Sequence, residues 1–157
     1  MSEIPVTYNK QVGPSHYLLG LKAESLSKGS PGQFLQIRVR GKETTDPLLR
    51  RPFSVYDVDQ QQQIVSIVYR VVGRGTRILS EVKTGNKLGI LGPLGSGFTL
   101  DFYDKQLLII GGGMGIAPLY YLARQLTADN HVRVLLGGDR RNQLEFFIQE
   151  FRGLDCR

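Results

Sequence analysis

The chain has 157 residues, with 20 Lys and Arg against 14 Asp and Glu, which gives a net charge of +6 at pH 7. This length suits about one domain of ~100–200 residues with a substantial buried core. The basic residues form no run of five and do not interleave with aromatic residues, which argues against a nucleic-acid-binding protein.

The cysteine count and the N-terminus exclude further classes of protein. The one cysteine, Cys156, can build neither a disulfide framework nor a thiolate metal site within one chain. Residues 1–10 lack the apolar core of a signal peptide, and no segment approaches ~18 uninterrupted apolar residues. We therefore expect a soluble, cytoplasmic protein that does not bind membranes.

The first two thirds of the chain has the pattern of antiparallel β structure. Turn residues separate five extended runs, at residues 16–23, 32–40, 52–58, 64–72 and 87–95. One short helix is predicted over residues 76–82, with Thr76 as its cap. This spacing predicts a closed antiparallel barrel or sandwich, and we assign residues 1–102 to a first domain.

The periodicity of the remaining residues, 103–157, is that of an α/β unit. Residues 106–113 and 131–138 have the continuous apolar character of parallel strands buried on both faces. A helix that begins at Pro118 lies between them, and a last helix begins with Asn142 as its cap. The apolar stripes of the two helices are Leu119, Leu122, Ala123 and Leu126, and Leu144, Phe147, Ile148 and Phe151.

The stretch GGGMGIAP, residues 111–118, joins the first parallel strand to its helix. Glycines let the backbone turn tightly and let a ligand approach without meeting a Cβ, and a helix N-terminus offers N–H groups to phosphate. The spacing departs from the dehydrogenase fingerprint G-x-G-x-x-G because residue 116 is Ile, which weakens a simple dehydrogenase interpretation. We predict a nucleotide-binding turn, the alternative being a plain tight turn, and its residues are Gly111, Gly112, Gly113, Met114, Gly115 and Pro118.

Two stretches of the first domain suggest a second anion site. In VYRVVGRGT, residues 68–76, a strand ends in glycines and leads into the short helix. In RRPFSVYDV, residues 50–58, Arg51 precedes a strand whose first residue is Pro52, where the missing N–H costs no ladder bond. If both stretches meet, the Arg51 guanidinium and the backbone N–H groups of Gly75 and Thr76 can hold a pyrophosphate, since a guanidinium forks onto phosphate oxygens. Tyr69 or Phe53 would then cover a flat ring.

Other motifs carry less information. GPLGSGF, residues 92–98, is either a structural turn or a ligand loop. His16 and His131 lie in strand-like runs with no Cys or paired carboxylate at ligand spacing, so we expect both to be structural. With no catalytic residue and no metal site predicted, the reactive chemistry would have to come from a cofactor.

Taken together, these motifs resemble the ferredoxin reductase superfamily. They are R-P-F-S at 51–54, V-Y-R at 68–70, G-x-G-T at 73–76, G-P-L-G-x-G-F at 92–98 and G-x-G-x-G-x-x-P at 111–118. Within it, the chain most resembles the electron transfer subunits of bacterial NAD-dependent dihydroorotate dehydrogenases, which act in pyrimidine biosynthesis. The resemblance implies a Greek-key FAD-binding barrel followed by a partial Rossmann-like NAD-binding domain.

The resemblance also implies a role for each motif. The pyrophosphate of FAD would contact Arg51, Gly75 and Thr76, its isoalloxazine ring would lie beside Pro52, Phe53 and Ser54, and Val68, Tyr69 and Arg70 would line the flavin. NAD would approach the turn at 111–118. In the family, electrons pass from the FMN of a partner catalytic subunit through an iron–sulfur cluster to this FAD, and then as hydride to NAD.

The sequence departs from the family pattern after the glycine-rich turn. Family members continue with a longer nucleotide domain and four cysteines that bind the cluster, whereas this chain has one βαβ unit, one further helix and one cysteine. The iron–sulfur cluster is therefore not expected in this chain, and its NAD site is expected to be incomplete. A two-stranded parallel sheet also leaves open edges, so either the chain is a fragment, or a partner or a second copy in a homodimer completes the sheet.

Three functions stay open at this point. The first is a flavin-binding electron-transfer subunit that acts together with a dihydroorotate dehydrogenase catalytic subunit. The second is another reductase component of the same superfamily, associated with a hydrogenase or acting as a flavin reductase. The third is a non-redox binding module that has lost catalysis.

Overall fold

The computed structural model describes residues 2–39, 46–154 and 156. Its larger sheet is antiparallel and is formed by strands β1 Ser2–Gly13, β2 His16–Lys22, β3 Phe34–Arg38, β4 Arg51–Ser54, β5 Asp57–Asp59, β6 Ile64–Arg70 and β7 Lys87–Leu94. The strands are arranged in the order β4-β3-β7-β1-β2-β6-β5. Residue 40, at the end of one predicted run, lies outside the described residues.

The two ends of this strand order are joined by Val55 and Tyr56. The Val55 N–H donates to the Gln33 carbonyl at 2.9 Å, beside β3, and the Tyr56 N–H donates to the Ser66 carbonyl of β6 at 2.8 Å. The chain therefore passes from one end strand to the other within two residues, and the sheet closes. The predicted antiparallel barrel is confirmed.

The barrel core is built from alternate residues of its strands, as expected for a sheet with one buried face. Four of the residues with no exposed side-chain surface are Leu19, Leu35, Ile37 and Ile67. Leu79, from the short helix α1 Arg74–Ser80, is also fully buried in this core. Burying one such side chain contributes about 1.5–3 kcal/mol relative to leaving it exposed, so the core holds α1 against the barrel.

Three predictions for the barrel need correction. β1 was not predicted, because its many polar residues do not show the apolar alternation of a strand. In the structure it pairs with β2 and with β7. The predicted strand 52–58 is two strands, because residues 55 and 56 change hydrogen-bonding partners. The short helix begins at Arg74 and not at Thr76, because the Thr76 hydroxyl accepts hydrogen bonds from the Val72 and Gly73 N–H groups and caps the helix from its third residue.

The smaller sheet has two parallel strands, β8 Gln106–Gly112 and β9 His131–Gly137, as predicted. A short 3-10 turn, Gly113–Ile116, leads from β8 into helix α2 Ala117–Leu126, and helix α3 Arg141–Arg152 follows β9. Pro118 is the second residue of α2 and not the first. None of the helices in the described part of the chain is long and apolar enough to span a membrane.

Two further predictions for this unit are wrong. Asn142 does not cap α3: Arg140 is the extended residue before the helix, and its carbonyl accepts the Gln143 N–H at 3.1 Å. The parallel strands are not buried on both faces. Leu108, Ile110 and Leu135 are 58%, 68% and 57% exposed, because α2 and α3 both pack on the opposite face, against residues such as Ile109 and Val132.

The α/β unit packs directly on the barrel. The Tyr56 and Tyr120 rings stack with centroids 4.6 Å apart, and the Tyr56 hydroxyl donates to Glu150 Oε2 at 2.8 Å. Arg124 Nη2 lies 2.8 Å from Asp57 Oδ1 and donates to the Val58 carbonyl at 2.8 Å. These contacts hold α2 and α3 against β5 and the residue before it.

Candidate functional site

A groove of about 430 Å³ lies between the barrel and the start of α2. It is lined by Arg51, Pro52, Phe53, Ser54, Val68, Tyr69, Arg70, Val72, Thr76, Met114 and Ala117. Residues that are up to 66 positions apart in the sequence, such as Arg51 and Ala117, therefore meet in one place. All of R-P-F-S and V-Y-R, together with Thr76 and Met114, line this groove.

The strand β4 supplies one wall of the groove. It pairs with β3 in antiparallel register, from Phe34 opposite Ser54 to Ile37 opposite Arg51, and it is the end strand of the sheet order. A proline is tolerated in such a strand because the missing N–H removes no bond from a second neighbour. Pro52 is the second residue of its strand and not the first as predicted, and the place of β4 at the end of the strand order explains why a proline is tolerated there.

The aromatic part of the groove is formed by Tyr69 and Phe53. Tyr69 is only 2% exposed, so it forms the floor and does not cover a ligand. Its ring stacks on Tyr17 with centroids 5.6 Å apart, and Phe53 meets it edge to face at 5.7 Å. Burial raises the pKa of the Tyr69 phenol, so its hydroxyl is protonated at neutral pH and donates to Asn9 Oδ1 at 3.0 Å.

Arg51 is the first residue of β4, and its side chain lies beside the first turn of α1. Its Nη1 donates to the Leu49 carbonyl at 2.8 Å. A Cβ added at Gly75 would lie 3.5 Å from Arg51 Nε and 3.1 Å from Val39 Cγ2, so glycine lets this turn approach the strand closely. Gly75 is buried and is not among the lining residues, whereas Thr76 and Arg51 both line the groove. The two predicted parts of the anion site are therefore neighbours.

The predicted nucleotide-binding turn lies at the carboxyl ends of the parallel strands, where Gly112 and Gly137 are opposite each other. Gly113 has a φ of +54°, a value that favours glycine. A Cβ at Gly113 or Gly115 would meet no atom within 4 Å, whereas one at Gly111 would lie 2.7 Å from Leu119 Cδ1. Gly111 is therefore required for packing, while the other two leave open space beside the turn.

Only Met114 of the predicted turn residues reaches the groove. The others lie beside it, in the turn itself or, for Pro118, in the first turn of α2. Ala117 and Val72 line the groove without having been predicted. Ala117 could have been found from its place in the stretch 111–118, directly after the glycines. Val72 could have been found as the last residue of the apolar run 64–72, next to the predicted anion site.

Two other features carry no support for a ligand. Residues 92–98 do not line the groove, and a Cβ at Gly92 would lie 2.7 Å from Leu35 Cδ2, which favours the structural interpretation of this turn. A hollow of about 650 Å³ lies along Gln106, Leu108, His131 and Arg133. It borders the amino ends of the parallel strands, whereas ligands of parallel sheets bind outside the carboxyl ends.

The two histidines differ in their surroundings. His16 is 5% exposed and its Nδ1 lies 2.7 Å from the Pro14 carbonyl, in agreement with a structural role. His131 is exposed, and its backbone N–H donates to the Lys105 carbonyl at 2.8 Å. Neither side chain lines the groove.

Comparison with known proteins places this geometry among redox proteins. No family model matches the chain. It is 42% identical over 125 residues to the dihydroorotate dehydrogenase B (NAD(+)) electron transfer subunit of Streptococcus mutans serotype c, covering 78% of this chain and 47% of that protein. It is 33% identical over 151 residues to the protein of the same name from Lysinibacillus sphaericus, covering 95% of this chain and 58% of the relative.

A solved structure gives the same result for the fold. The NADH-dependent reduced ferredoxin-NADP oxidoreductase superposes with a TM-score of 0.79 and 28% identity, over 92% of this chain and 51% of the other. The chain thus spans about half the length of the proteins that it matches. Its fold is that of the ferredoxin reductases, and the curated relatives that it resembles are the electron transfer subunits of dihydroorotate dehydrogenase B.

Proposed function

We propose that the chain binds FAD in the groove between the barrel and α2, and that it carries electrons between a dihydroorotate dehydrogenase catalytic subunit and NAD. The observation that carries the proposal is the convergence of Arg51–Ser54, Val68–Arg70 and Thr76 on one groove. The names of the relatives support the electron-transfer role and the partner. We further propose, from the resemblance, that this partner contains FMN.

The chemistry of the lining residues fits a flavin dinucleotide. Phe53, Val68 and Tyr69 offer apolar surface to a flat ring, and Ser54 brings a hydroxyl that can hydrogen-bond the polar edge of such a ring. At the other end, Arg51 offers a guanidinium, which binds phosphate oxygens through paired N–H groups, and the first turn of α1 at Thr76 offers a backbone N–H. The Thr76 hydroxyl is already engaged, because it donates to the Gly73 carbonyl and accepts the Val72 and Gly73 N–H groups. The groove therefore has an apolar part for the ring and a basic part for the phosphates.

Each group of residues has a defined task in this proposal. When bound, FAD supplies the two-electron chemistry that the side chains of this chain cannot supply. Arg51 neutralises the phosphates and the aromatic residues orient the ring. Met114 and Ala117 close the groove on the side of the glycine-rich turn, where the open space beside Gly113 and Gly115 would admit the phosphates of NAD.

The test is reconstitution of the purified chain with flavins of increasing length. We expect a yellow complex with FAD after gel filtration, and we expect FAD to bind at least about tenfold more tightly than riboflavin, since only FAD carries the diphosphate for Arg51. A chain that stays colourless after incubation with FAD would contradict the proposal. Equal affinity for riboflavin and FAD would contradict the assignment of Arg51.

A second candidate function is that of another reductase component of the same superfamily. It is favoured by the similarity to the NADH-dependent reduced ferredoxin-NADP oxidoreductase. Mixing the FAD-loaded chain with a reduced dihydroorotate dehydrogenase catalytic subunit or with reduced ferredoxin separates the two. Bleaching of the flavin by the first donor only would support the main proposal, and bleaching by ferredoxin only would support the alternative.

A further inference from the structure

Asn9 lies outside the groove but is hydrogen-bonded to two elements that form it. It is a half-buried residue of β1, opposite Leu19 of β2. Its Nδ2 donates to the Leu79 carbonyl at 2.8 Å and to the Val82 carbonyl at 2.9 Å. Its Oδ1 accepts the Tyr69 hydroxyl proton at 3.0 Å. The amide is thus oriented by its partners, because carbonyls can only accept hydrogen bonds.

The two carbonyls belong to the end of α1. Leu79 is the penultimate residue of that helix, and Val82 lies two residues beyond the end of the helix. The last carbonyls of a helix have no partner within the helix, so a side-chain donor that reaches them fixes the helix end. Asn9 supplies this donor from the barrel wall and ties α1 to β1.

The third partner belongs to the groove floor. The Tyr69 ring stacks on Tyr17 and meets Phe53 edge to face. Its hydroxyl is the one polar atom of the side chain, and the bond to Asn9 Oδ1 holds it in place. Asn9 therefore joins the floor of the groove at Tyr69 to the helix whose first turn brings Thr76 to the groove.

We propose that Asn9 is a positioning residue for the groove, which sets the distance between its aromatic floor and its anion-binding end. α1 has only two turns, so it moves as a rigid body, and a shift at Leu79 displaces Thr76 as well. A ligand that spans both ends needs both to be in register, whereas a ligand that occupies the floor alone does not. The inference rests on the proposed function, because FAD is the ligand that would span both ends.

The experiment compares the affinities for FAD and riboflavin in Asn9→Leu, a substitution of similar size that removes all three hydrogen bonds. We expect the dissociation constant for FAD to rise about tenfold or more and that for riboflavin to change less than about threefold, because only FAD reaches the anion-binding end. Tyr69→Phe removes only the bond to Oδ1, and we expect about a threefold loss for FAD.

Asn130→Leu is the matched control. Asn130 also uses its whole amide, since Nδ2 donates to the Phe102 and Leu126 carbonyls at 2.7 and 3.1 Å and Oδ1 accepts the Lys105 N–H at 3.1 Å. It lies in the turn between α2 and β9 and does not line the groove. We expect a similar loss of stability but an unchanged ratio of FAD to riboflavin affinity.

Asn9→Asp gives a readout that a loss of stability alone would not produce. The carboxylate still accepts from Tyr69 but has no proton for the two carbonyls, and protonation at low pH restores one donor. We expect FAD affinity to increase as the pH falls from 8 to 5 in this variant and to stay flat in the wild type. If Asn9→Leu does not fold, Asn9→Asp and Tyr69→Phe carry the test.

The outcomes separate this inference from the proposed function. Wild-type protein that binds neither FAD nor riboflavin overturns both. Wild-type protein that binds FAD, with an unchanged FAD to riboflavin ratio in the Asn9 variants, overturns the positioning role alone.

Discussion

Arg50 and Arg51 are neighbours in the sequence, but their side chains lie in different surroundings. The Arg50 Nη1 donates to the Gly89 carbonyl of β7 at 2.7 Å, and the residue does not line the groove. Arg51 lines the groove beside α1. Successive side chains of an extended chain alternate in direction, so Arg50, just before β4, and Arg51, its first residue, can have different roles.

We therefore predict that Arg51→Ala weakens FAD binding about 10- to 100-fold, because a hydrogen bond to a charged group contributes about 1.5–3 kcal/mol. Arg50→Ala should change FAD affinity less than about threefold and should instead lower the free energy of unfolding, since it leaves the Gly89 carbonyl without this donor. Fluorescence titration with FAD and urea denaturation measure the two effects. Equal losses of FAD affinity in both variants would refute the assignment.

At the scale of single residues, the sequence predicted which types of residue line the groove. It did not predict the residues outside the groove that hold them in position. Arg51, Pro52 and Thr76 stand out because of their charge, their missing N–H and the glycines around them. Asn9 has no such signal, because its partners are 60 to 73 residues away in the chain. A hydrogen bond between distant strands becomes visible only once the barrel is formed.

In the turn from β8 to α2, the glycines of one motif occupy structurally different positions. Gly111 is buried against Leu119 and Ile116, Gly113 has a positive φ, and Gly115 faces open space. The motif G-x-G-x-G predicts a tight turn. It does not indicate which glycine is needed for close packing, which for a positive φ, and which leaves open space. Only the packing of α2 on β8 decides which glycine excludes a side chain.

This difference gives a prediction for the glycine-rich turn. Gly111→Ala should lower the free energy of unfolding by about 1–3 kcal/mol, because the added methyl overlaps Leu119 Cδ1. Gly115→Ala should change it by less than about 0.5 kcal/mol, since nothing lies within 4 Å of the added atom.

The same pair tests the proposed NAD site when stability is measured by urea denaturation and NAD affinity by calorimetry. If the space beside Gly115 admits phosphate, Gly115→Ala should weaken NAD binding while leaving stability unchanged. A Gly115→Ala variant with unchanged stability and unchanged NAD affinity would speak against a phosphate at this turn.

For the whole molecule, the uncovered face of the parallel sheet is the main departure from expectation. Leu108, Ile110 and Leu135 lie side by side on this face and are more than half exposed. Parallel sheets are normally covered by helices on both faces, and an exposed apolar patch promotes association. The two strands have the continuous apolar sequence of fully buried strands, but no helix among the described residues packs on this face.

We predict that the triple variant Leu108→Ser, Ile110→Ser, Leu135→Ser loses less than about 1 kcal/mol of unfolding free energy, because these side chains are already exposed. Ile109→Ala, on the covered face, should cost about 2–5 kcal/mol. Sedimentation velocity should show less self-association in the triple variant than in the wild type. A large destabilisation of the triple variant at a protein concentration where the wild type is monomeric would contradict the exposure of these three side chains.

The amino-acid sequence by itself determined the antiparallel barrel, the parallel βαβ unit and the residue types of the groove. These features follow from local rules: period-2 alternation, apolar runs ending in glycine, and arginine next to proline. The tertiary structure alone decided that β1 is a strand, that β4 and β5 are separate, and that Asn9 joins Tyr69 to α1. The reason is physical: each depends on hydrogen bonds or contacts between residues far apart in the chain, which exist only after the barrel has closed.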